Sequence, residues 1–320
     1  MIYNVNVMIF GLYFYSEKGG ITLENLNKKK SLYADLSLAL VAIIWGVGFI
    51  VIKNALDYID PLYILAIRFS IASPLMALIF IKRMKKADMS DVKAGAVIGL
   101  FLFLAFITQT IGMQYTNVSV SAFITGSNVV IVPFLYWLIS KKRPDKFEII
   151  AAILCFIGIG FLSLQGDFSI GLGDGLTMLC ALFFACHIVS IGFYSKNHDP
   201  IILSVIQFGV AAILSFLVIF IFKINLGNMT MKVGLSMIYL AVVSTIIAFG
   251  IQNVAQKYTS SNHAAIILSM ESVFGSLSSV IFLDEKFTLR LFLGCVIIFI
   301  AIITAETKWS FLKKEKKTNN

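Results

Sequence analysis

The chain has 320 residues, of which 59% are hydrophobic and 13% are charged, and its formal net charge is +9 at pH 7. This composition excludes a disordered chain and argues against a pair of ordinary soluble domains. The apolar residues occur in blocks of about 20, the length of a helix that crosses a hydrocarbon core about 30 Å thick. The sequence therefore predicts a protein with several transmembrane helices.

Ten such blocks follow one another along the chain, and we number the predicted helices from 1 to 10. Charged or turn residues bound them, such as Asp60-Pro61 before helix 2 and Asp199-Pro200 before helix 7. Barrel strands would alternate polar and apolar residues, so the unbroken runs predict an all-α integral membrane fold. The helices are expected at 36–56, 61–82, 94–115, 118–140, 147–165, 173–195, 200–224, 233–255, 260–283 and 288–305.

The distribution of positive charge predicts the orientation. Of the 26 Lys and Arg residues, 20 fall on the side of the N-terminus, 5 fall on the opposite side, and Arg68 lies within helix 2. Because positive charge concentrates in the cytoplasm, residues 1–35 are expected to form a cytoplasmic tail and 306–320 a basic cytoplasmic tail. The apolar stretch from Val5 to Tyr15 is too short to span and lacks the basic start of a signal peptide. It is interpreted as a peripheral tail, or as sequence upstream of a later start such as Met8.

Several classes of site are disfavoured. The four cysteines all lie in apolar blocks without metal-ligand spacing, so neither a disulfide framework nor a zinc site is expected. The basic residues lie in loops and tails, which argues against nucleic-acid binding. Gly171, Gly173 and Gly175 follow a membrane helix rather than a strand, and the chain has no Walker motif. No cofactor is expected, and ATP is not expected to drive the protein directly.

The two halves of the chain resemble each other. Asp60-Pro61 and Asp199-Pro200 lie 139 positions apart, while Gln109 and Gln252 lie 143 positions apart, as do Tyr115-Thr116 and Tyr258-Thr259. Each repeat, 36–165 and 173–305, holds five helices, so the second must enter the membrane from the opposite side. Two inverted five-helix repeats are typical of secondary transporters, which bind substrate near the midplane between the halves.

These features resemble the EamA family of the drug/metabolite transporter superfamily, over about residues 36–305. The resemblance implies a ten-helix permease with both termini cytoplasmic, a cavity lined by helices 1, 3, 4, 6, 8 and 9, and export or import of amino acids, related metabolites or drugs. Glu271-Ser272 departs from the family's Glu-Pro, so Pro133 on helix 4 could supply a bend instead. The matching residues are Trp45-Gly46, Phe49, Lys53, Pro61, Arg68-Phe69, Gly173-Asp174, Tyr258-Thr259, His263-Ala264-Ala265, Glu271, Val273-Phe274, Glu285 and Gly294.

Glu271 is the strongest candidate for the chemistry of transport. Sixteen of the 17 acidic residues fall in tails, loops or helix ends, whereas Glu271 lies at the centre of helix 9. A carboxyl group at that depth is costly and is typically functional. It could carry a coupling proton or bind a substrate amine; alternatively, it is a neutral acid hydrogen-bonded between helices.

Further polar residues in the apolar blocks are expected to face the same cavity. Ser121, Thr125 and Asn128 share one face of helix 4, and Asn128 is the repeat counterpart of Glu271. The alternative is that these small polar residues hold helices together. The matched pair Gln109 and Gln252 could cap the cavity or bind freed backbone groups, the structural use being favoured.

Three more residues lie inside apolar blocks. His187 on helix 6 could relay protons with Glu271 or bind a substrate carboxylate, although a neutral core histidine is the commoner case. Trp45 on helix 1 could stack on a substrate ring or pack against the cavity wall. Arg68 could neutralise a carboxylate, but a structural role is favoured because helix 2 is expected outside the cavity lining.

The sequence therefore predicts a secondary transporter that exports amino acids or related small metabolites by alternating access, with proton coupling as one way of driving it. The alternative is a multidrug or organic-cation exporter. An intramembrane enzyme is disfavoured, because Cys186 and His187 are adjacent on a helix and point about 100° apart. The expected location is the inner membrane of a bacterial or archaeal cell, with the bilayer and a small-molecule substrate as partners.

Overall fold

The computed structural model describes residues 23–141, 143–163, 170–195, 197–255, 267–286 and 288–308. The peripheral stretch 5–15, the motifs at 258–259 and 263–265, and most of the C-terminal tail lie outside these residues. In the described ranges the helices are joined by loops and turns, and an isolated β-bridge joins Ile59 to Gly227. An all-α fold is thereby confirmed for this part of the chain.

Where the structure describes them, the ends of the helices lie close to the predicted positions, apart from the starts of helix 1 at Leu23 and of helix 3 at Met89. Helices 4, 8 and 9 are each composed of more than one segment. Helices 1, 2, 3 and 5 run over Leu23–Leu56, Pro61–Ile79, Met89–Tyr115 and Lys146–Ser163, with a short helix Ile81–Met84 after helix 2. Helix 4 comprises Val118–Gly126 and Asn128–Ser140, and helices 6 and 7 are Leu172–Tyr194 and Pro200–Phe222. Helix 8 comprises Met231–Ile238, a π-helical segment Tyr239–Ile247 and Ala248–Ala255. The final segment of helix 9 is Glu271–Phe282, and helix 10 is Leu289–Thr307.

Seven helices in the described part of the chain are long and apolar enough to cross a membrane, namely helices 1 to 4 and 6 to 8. Two shorter apolar helices follow, Ile267–Phe282 and Leu289–Ala305. Large apolar side chains such as Phe156 and Phe220 are more than 80% exposed on the outer surface of the bundle. Side chains of this kind are stable on a surface that faces lipid, so the fold is that of an integral membrane protein.

Helices 2 and 7 begin in the same way. Asp60 and Asp199 precede a proline, and each carboxylate accepts a hydrogen bond at 2.8 Å from the backbone N–H two residues later, at Leu62 or Ile201. An acidic cap followed by proline satisfies the unpaired N–H groups of a helix start and sets its backbone angle. The repeated Asp-Pro pair thus has the same structural role in both halves.

The packing of the helices follows the same pairing between halves. Helix 3 packs on helices 6 and 7, and correspondingly helix 8 packs on helices 1 and 2. Helix 1 packs on helix 9, as helix 6 packs on helix 4, while helices 2 and 7, 4 and 9, and 5 and 10 pack on each other. If helices 1 to 5 are exchanged with helices 6 to 10 in order, the same set of helix contacts is obtained.

Helices 4 and 9 are both interrupted in the membrane interior. Helix 4 is broken at Ser127, and the final segment of helix 9 begins at Glu271 after a turn at Met270. Pro133 lies within the second segment of helix 4, six residues beyond the break, so the interruption of helix 4 is not at Pro133. The break in helix 9 occurs with Ser272, rather than proline, after Glu271.

Candidate functional site

The two interrupted helices cross in opposite directions, and their breaks lie at the same level. The hydroxyl oxygens of Ser119 and Ser279 are 2.6 Å apart, and Ser272 donates to the carbonyl of Ala122 at 2.9 Å. A methyl group on Gly126 would collide with the hydroxyl of Ser272. Residue numbers rise on helix 4 as they fall on helix 9, so the breaks after Gly126 and before Glu271 lie side by side.

Side chains at the break in helix 4 compete with its backbone. The Ser127 hydroxyl donates to the carbonyl of Ile124 at 2.6 Å, and the Asn128 amide donates to the carbonyl of Thr125 at 2.8 Å. In a regular helix these carbonyls would accept from the N–H groups four residues later, at positions 128 and 129. Local bonds from Ser and Asn side chains therefore account for the interruption.

Thr125 joins helix 4 to helices 3 and 6. Its hydroxyl accepts a hydrogen bond from the Gln109 amide at 3.2 Å and lies 3.8 Å from the thiol of Cys180. All three side chains are buried. The structure thus brings together two predicted site residues, Gln109 and Thr125, and adds Cys180, which the sequence suggested only as a packing residue.

Three buried polar atoms near the crossing have no hydrogen-bond partner among the described residues: the hydroxyls of Ser121 and Ser276 and the amide oxygen of Asn128. Each of these side chains is less than 10% exposed. A buried polar group without a partner is costly, so such atoms commonly mark a place where a ligand or water binds. Ser276 was not among the predicted residues, because a serine in a run of small residues gives no distinct signal.

Glu271 is the first residue of the final segment of helix 9, directly across from the break that precedes Asn128. Its side chain is partly buried, and it lies within electrostatic range of the Cys180 thiol. A carboxylate in the first turn of a helix is stabilised by the unpaired N–H groups there. Loss or gain of a proton at Glu271 would therefore change the charge at the centre of the crossing.

Trp45 and Gln252 lie where helix 1 meets helix 8. The Trp45 indole donates to the carbonyl of Ser244 at 2.9 Å, and its ring lies 5.2 Å from that of Phe249. Gln252 is partly buried one turn beyond Phe249. Both are placed on helices expected to line the cavity, but not in the group formed by Gln109, Thr125 and Cys180.

His187 is directed toward helix 7. Its Nε2 lies 2.7 Å from the side-chain oxygen of Gln207, and the ring is 4% exposed. His187 also lies two turns beyond Cys180 on helix 6, away from the level of the helix breaks. This geometry is that of a core histidine with a partner, and it does not place His187 beside Glu271.

Arg68 is buried between the halves of the molecule, which the sequence did not anticipate. Its Nε donates to the hydroxyl of Thr245 at 2.7 Å, and its Nη2 lies 3.3 Å from the hydroxyl of Ser244. Both hydroxyls belong to the π-helical segment of helix 8, a form that is frequent at functional sites. The sequence signal that could have identified Arg68 as a site residue is its positive charge, which lies about a third of the way into the apolar block of helix 2.

The end of the bundle that carries the loops between helices 3 and 4 and helices 9 and 10 is tied together by charged groups. Glu285 accepts hydrogen bonds from the backbone N–H groups of Val118 and Ser119 at 2.7 and 3.2 Å, at the start of helix 4. Lys53 donates to the carbonyls of Met113 and Thr116. These contacts join helices 1, 3, 4 and 9 above the level of the helix breaks.

The described residues contain no group of three or more His, Cys, Asp or Glu side chains that could hold a metal ion. Within the described residues, Glu271 is the carboxylate at the level of the helix breaks, while Glu285 binds Ser119 at the far end of the crossing. This donor set suits a proton or an ammonium group better than a divalent metal, which prefers several carboxylates.

Comparison with known proteins identifies the family. The profile of the EamA-like transporter family matches the chain twice, over residues 32–164 and 171–306. The chain belongs to the EamA-like transporter family. Each match covers one of the two repeats predicted from the sequence, and the resemblance drawn from the sequence motifs is confirmed.

Individual relatives agree with this assignment. An uncharacterized transporter of Archaeoglobus fulgidus is 38% identical over 300 residues, which cover 93% of this chain and 92% of the relative. A probable amino-acid metabolite efflux pump of Escherichia coli is 26% identical, with 81% of this chain and 90% of the relative covered. A protein of known crystal structure shares the fold with a TM-score of 0.64 at 14% identity, covering 88% of this chain and 99% of the other. The relatives are named as transporters, so transport rather than catalysis is the activity to test.

Proposed function

We propose that this EamA-family protein is a secondary transporter that exports amino acids or related small metabolites by alternating access. The observation that carries the proposal is the crossing of two interrupted helices, with Glu271 and Asn128 at equivalent positions of the two breaks. Interrupted helices at the midplane between repeats are a recurring way of building a substrate site in secondary transporters. The name of the Escherichia coli relative supports amino-acid metabolites as the first substrate class to test.

We further propose that the two family matches are inverted repeats of five helices each. The contact pattern, which is unchanged when each helix is replaced by its counterpart, supports a two-fold relation between them. Alternating access then follows from rocking of one half against the other around the crossing of helices 4 and 9. The positive-inside rule supports a cytoplasmic location for both termini.

Glu271 is assigned the coupling role. The carboxyl group binds a proton from one side of the membrane and releases it to the other, or exchanges it for the ammonium group of the substrate. The amide oxygen of Asn128 and the hydroxyl of Ser121, which lack partners among the described residues, support the exchange of the proton for the substrate ammonium group. An ammonium group donates three hydrogen bonds and can use these acceptors. A carboxylate and these neutral acceptors together match one ammonium group.

A multidrug or organic-cation exporter remains the second candidate. The pairing of the Trp45 and Phe249 rings favours it, since aromatic faces attract organic cations. In this case Glu271 is the counter-ion of the drug. Competition by hydrophobic cations but not by amino acids would favour this candidate over metabolite export.

The test is transport into proteoliposomes by the purified full-length protein, with an imposed pH gradient and the twenty proteinogenic amino acids as an equimolar mixture. We expect the gradient to drive accumulation by the wild type and Glu271→Gln to lose the effect of the gradient. Asp57→Asn is the matched control, because Asp57 is an exposed carboxylate between helices 1 and 2. Size-exclusion chromatography checks that all three proteins are folded.

The outcomes separate the parts of the proposal. An unchanged response to the gradient in Glu271→Gln removes Glu271 from the coupling role. Absence of transport of all twenty amino acids, together with uptake of a hydrophobic cation, would replace metabolite export by drug export. Absence of both activities in a folded protein would contradict the transport proposal itself.

A further inference from the structure

Arg68 is a cation in the interior of the membrane fold. Its side chain is 3% exposed, and its guanidinium lies 4.5 Å from the centre of the Phe106 ring and 5.4 Å from that of Phe69. Its hydrogen-bond partners are the neutral hydroxyls of Thr245 and Ser244. A guanidinium has five N–H donors and keeps its charge in proteins, so hydroxyls and aromatic rings leave much of its binding capacity unused.

No acidic side chain forms an ion pair with Arg68 within the described ranges. The ion pairs found there involve Arg83, His198 and Lys308, all near the ends of helices. A buried charge that lacks a counter-charge is strongly disfavoured, and in membrane proteins such residues commonly mark substrate or ion pathways. The site is therefore incomplete without an anion.

Arg68 and the two hydroxyl groups that bind it lie on helices of different halves of the chain. Helix 2 carries Arg68 and belongs to the first half, whereas helix 8 carries both hydroxyls and belongs to the second half. The hydroxyls lie in the π-helical segment, where the Thr245 hydroxyl also donates to the carbonyl of Leu240 at 2.7 Å. Displacement of helix 8 relative to helix 2 would free the guanidinium from these two hydroxyls.

The same place is next to a helix of the expected cavity. The Trp45 indole binds the carbonyl of Ser244, and a methyl group on Gly48 would lie 3.5 Å from the Ser244 hydroxyl. Phe69 and Phe106 provide aromatic surface at the cation, and Phe69 in turn stacks on Phe208. A ligand that reaches Arg68 would thus find a positive charge surrounded by aromatic rings.

We infer that Arg68 is the anion subsite of the transporter and binds the carboxylate of the substrate when helix 8 moves away from helix 2. The inference rests on the proposed transport function and deepens it, because it requires a substrate that carries a carboxylate. Arginine forms paired hydrogen bonds with a carboxylate, which hydroxyl groups cannot match. Glu271 and Arg68 would then act on groups of opposite charge, the amine and the carboxylate.

The first experiment measures selectivity rather than rate. Uptake into proteoliposomes is compared for two compounds. One is the amino acid that the wild type transports fastest from the equimolar mixture, and the other is the carboxamide of that amino acid, which lacks the negative charge of the carboxylate. We expect the wild type to prefer the acid by about tenfold or more, since a hydrogen bond to a charged group has that effect. Arg68→Gln should bring the ratio close to one, and Arg68→Lys should keep part of it.

Thr245→Val is the matched control. It removes the hydroxyl that binds Arg68 in this structure but leaves the cation, so the preference for the acid should persist. If Arg68→Gln lowers transport of acid and amide equally, or if it keeps the wild-type ratio, Arg68 has a structural role and the inference is wrong.

The second experiment does not depend on transport. The thermal unfolding of purified wild type and of Arg68→Gln is compared with phenylacetate and with phenylacetamide, which differ in the carboxylate. The anion subsite is supported if phenylacetate, but not phenylacetamide, stabilises the wild type and neither compound stabilises Arg68→Gln. This result would stand even if none of the amino acids is transported and the proposed function fails. Equal stabilisation of both proteins, or of neither protein, contradicts the subsite.

Discussion

Gly46 on helix 1 lies against helix 9, and the two helices are too close there to leave room for a methyl group. A Cβ atom there would lie 2.6 Å from the Cβ of Phe274 and 2.8 Å from the backbone nitrogen of Gly275 on helix 9. Since backbone atoms cannot move aside cheaply, Gly46→Ala should destabilise the protein by about 1–3 kcal/mol. The measurement is thermal unfolding of the detergent-solubilised protein, in which the variant should unfold at lower temperature.

Gly175→Ala is the control for this substitution. Gly175 lies within helix 6, and nothing comes within 4 Å of an added Cβ. Alanine favours helix over glycine by up to about 1 kcal/mol, so this variant should be as stable as the wild type or slightly more stable. A Gly46→Ala protein that unfolds at the wild-type temperature would show that helices 1 and 9 are not packed as described.

The individual site residues could be predicted from the sequence to different extents. A carboxylate at the centre of an apolar block is a distinct signal, so Glu271 was chosen, and its repeat counterpart Asn128 followed from it. The pairing of His187 with Gln207 and of Arg68 with Thr245 depends on how helices 6, 7, 2 and 8 are packed. Distances between residues on different helices cannot be read from the sequence, so the position of Arg68 between the halves could not be predicted.

At the scale of elements, the break in helix 4 is the feature most directly encoded by local residues. Ser127→Ala removes the hydroxyl that occupies the carbonyl of Ile124, so the N–H of residue 128 can bind it instead. We expect slower hydrogen exchange in the peptide around residues 127–130, unfolding at an equal or higher temperature, and transport reduced severalfold. Hydrogen-exchange mass spectrometry, thermal unfolding and proteoliposome uptake measure the three effects.

Ser37→Ala is the matched control for the break. Ser37 makes the same kind of bond, from its hydroxyl to the carbonyl of Tyr33 at 2.7 Å, but in the uninterrupted helix 1. Its removal should leave exchange and transport unchanged. If Ser127→Ala behaves like Ser37→Ala, the break in helix 4 has another cause and no role in transport.

Helix positions were predictable because apolar length and Asp-Pro caps are local properties, and the boundaries at Pro61, Val118 and Pro200 agree with the structure. The π-helical segment of helix 8 was not predictable, since its residues Tyr239–Ile247 have the same apolar character as any neighbouring turn. The interruption at Met270 was also missed, because a proline was the expected cause of a break.

At the scale of the whole molecule, the end of helix 10 is tied to the start of helix 5 by charge. The Lys308 ammonium lies 2.5 Å from Asp145 and 3.2 Å from Glu148. The hydrogen bond to Asp145 raises the pKa of Lys308. Partial burial alone would raise the pKa of Asp145, but the hydrogen bond from Lys308 holds that pKa below its usual value.

These shifts predict a tie that is insensitive to pH near neutrality. The contribution of Asp145 is present above its unfolded pKa of about 4 and is lost as pH falls below it, while that of Lys308 is lost only above about pH 10. Lys308→Gln should therefore lower the unfolding temperature equally at pH 5.5 and pH 8, by the equivalent of at most about 1 kcal/mol, because the pair is exposed. Thermal unfolding at the two pH values checks this, and a difference between them would contradict it.

The loops on each face of the molecule are joined in a way that fixes which of them share a side. Asn228, between helices 7 and 8, donates its backbone N–H to Tyr58 between helices 1 and 2 at 2.8 Å. On the other face Arg83, after helix 2, lies 3.2 Å from Asp199 before helix 7. Whatever the orientation in the membrane, the members of each pair must lie on the same side.

Cysteine labelling tests both the pairing and the orientation. In a variant without the four native cysteines, single cysteines at the exposed positions Asp57, Asn225, Lys86 and Asn197 are treated in intact cells with a membrane-impermeant maleimide. Because positive charge concentrates in the cytoplasm, we expect immediate labelling at positions 57 and 225, and labelling at 86 and 197 only after permeabilisation. The reverse pattern would invert the orientation but keep the pairing of the loops, whereas different results for positions 57 and 225 would contradict that pairing.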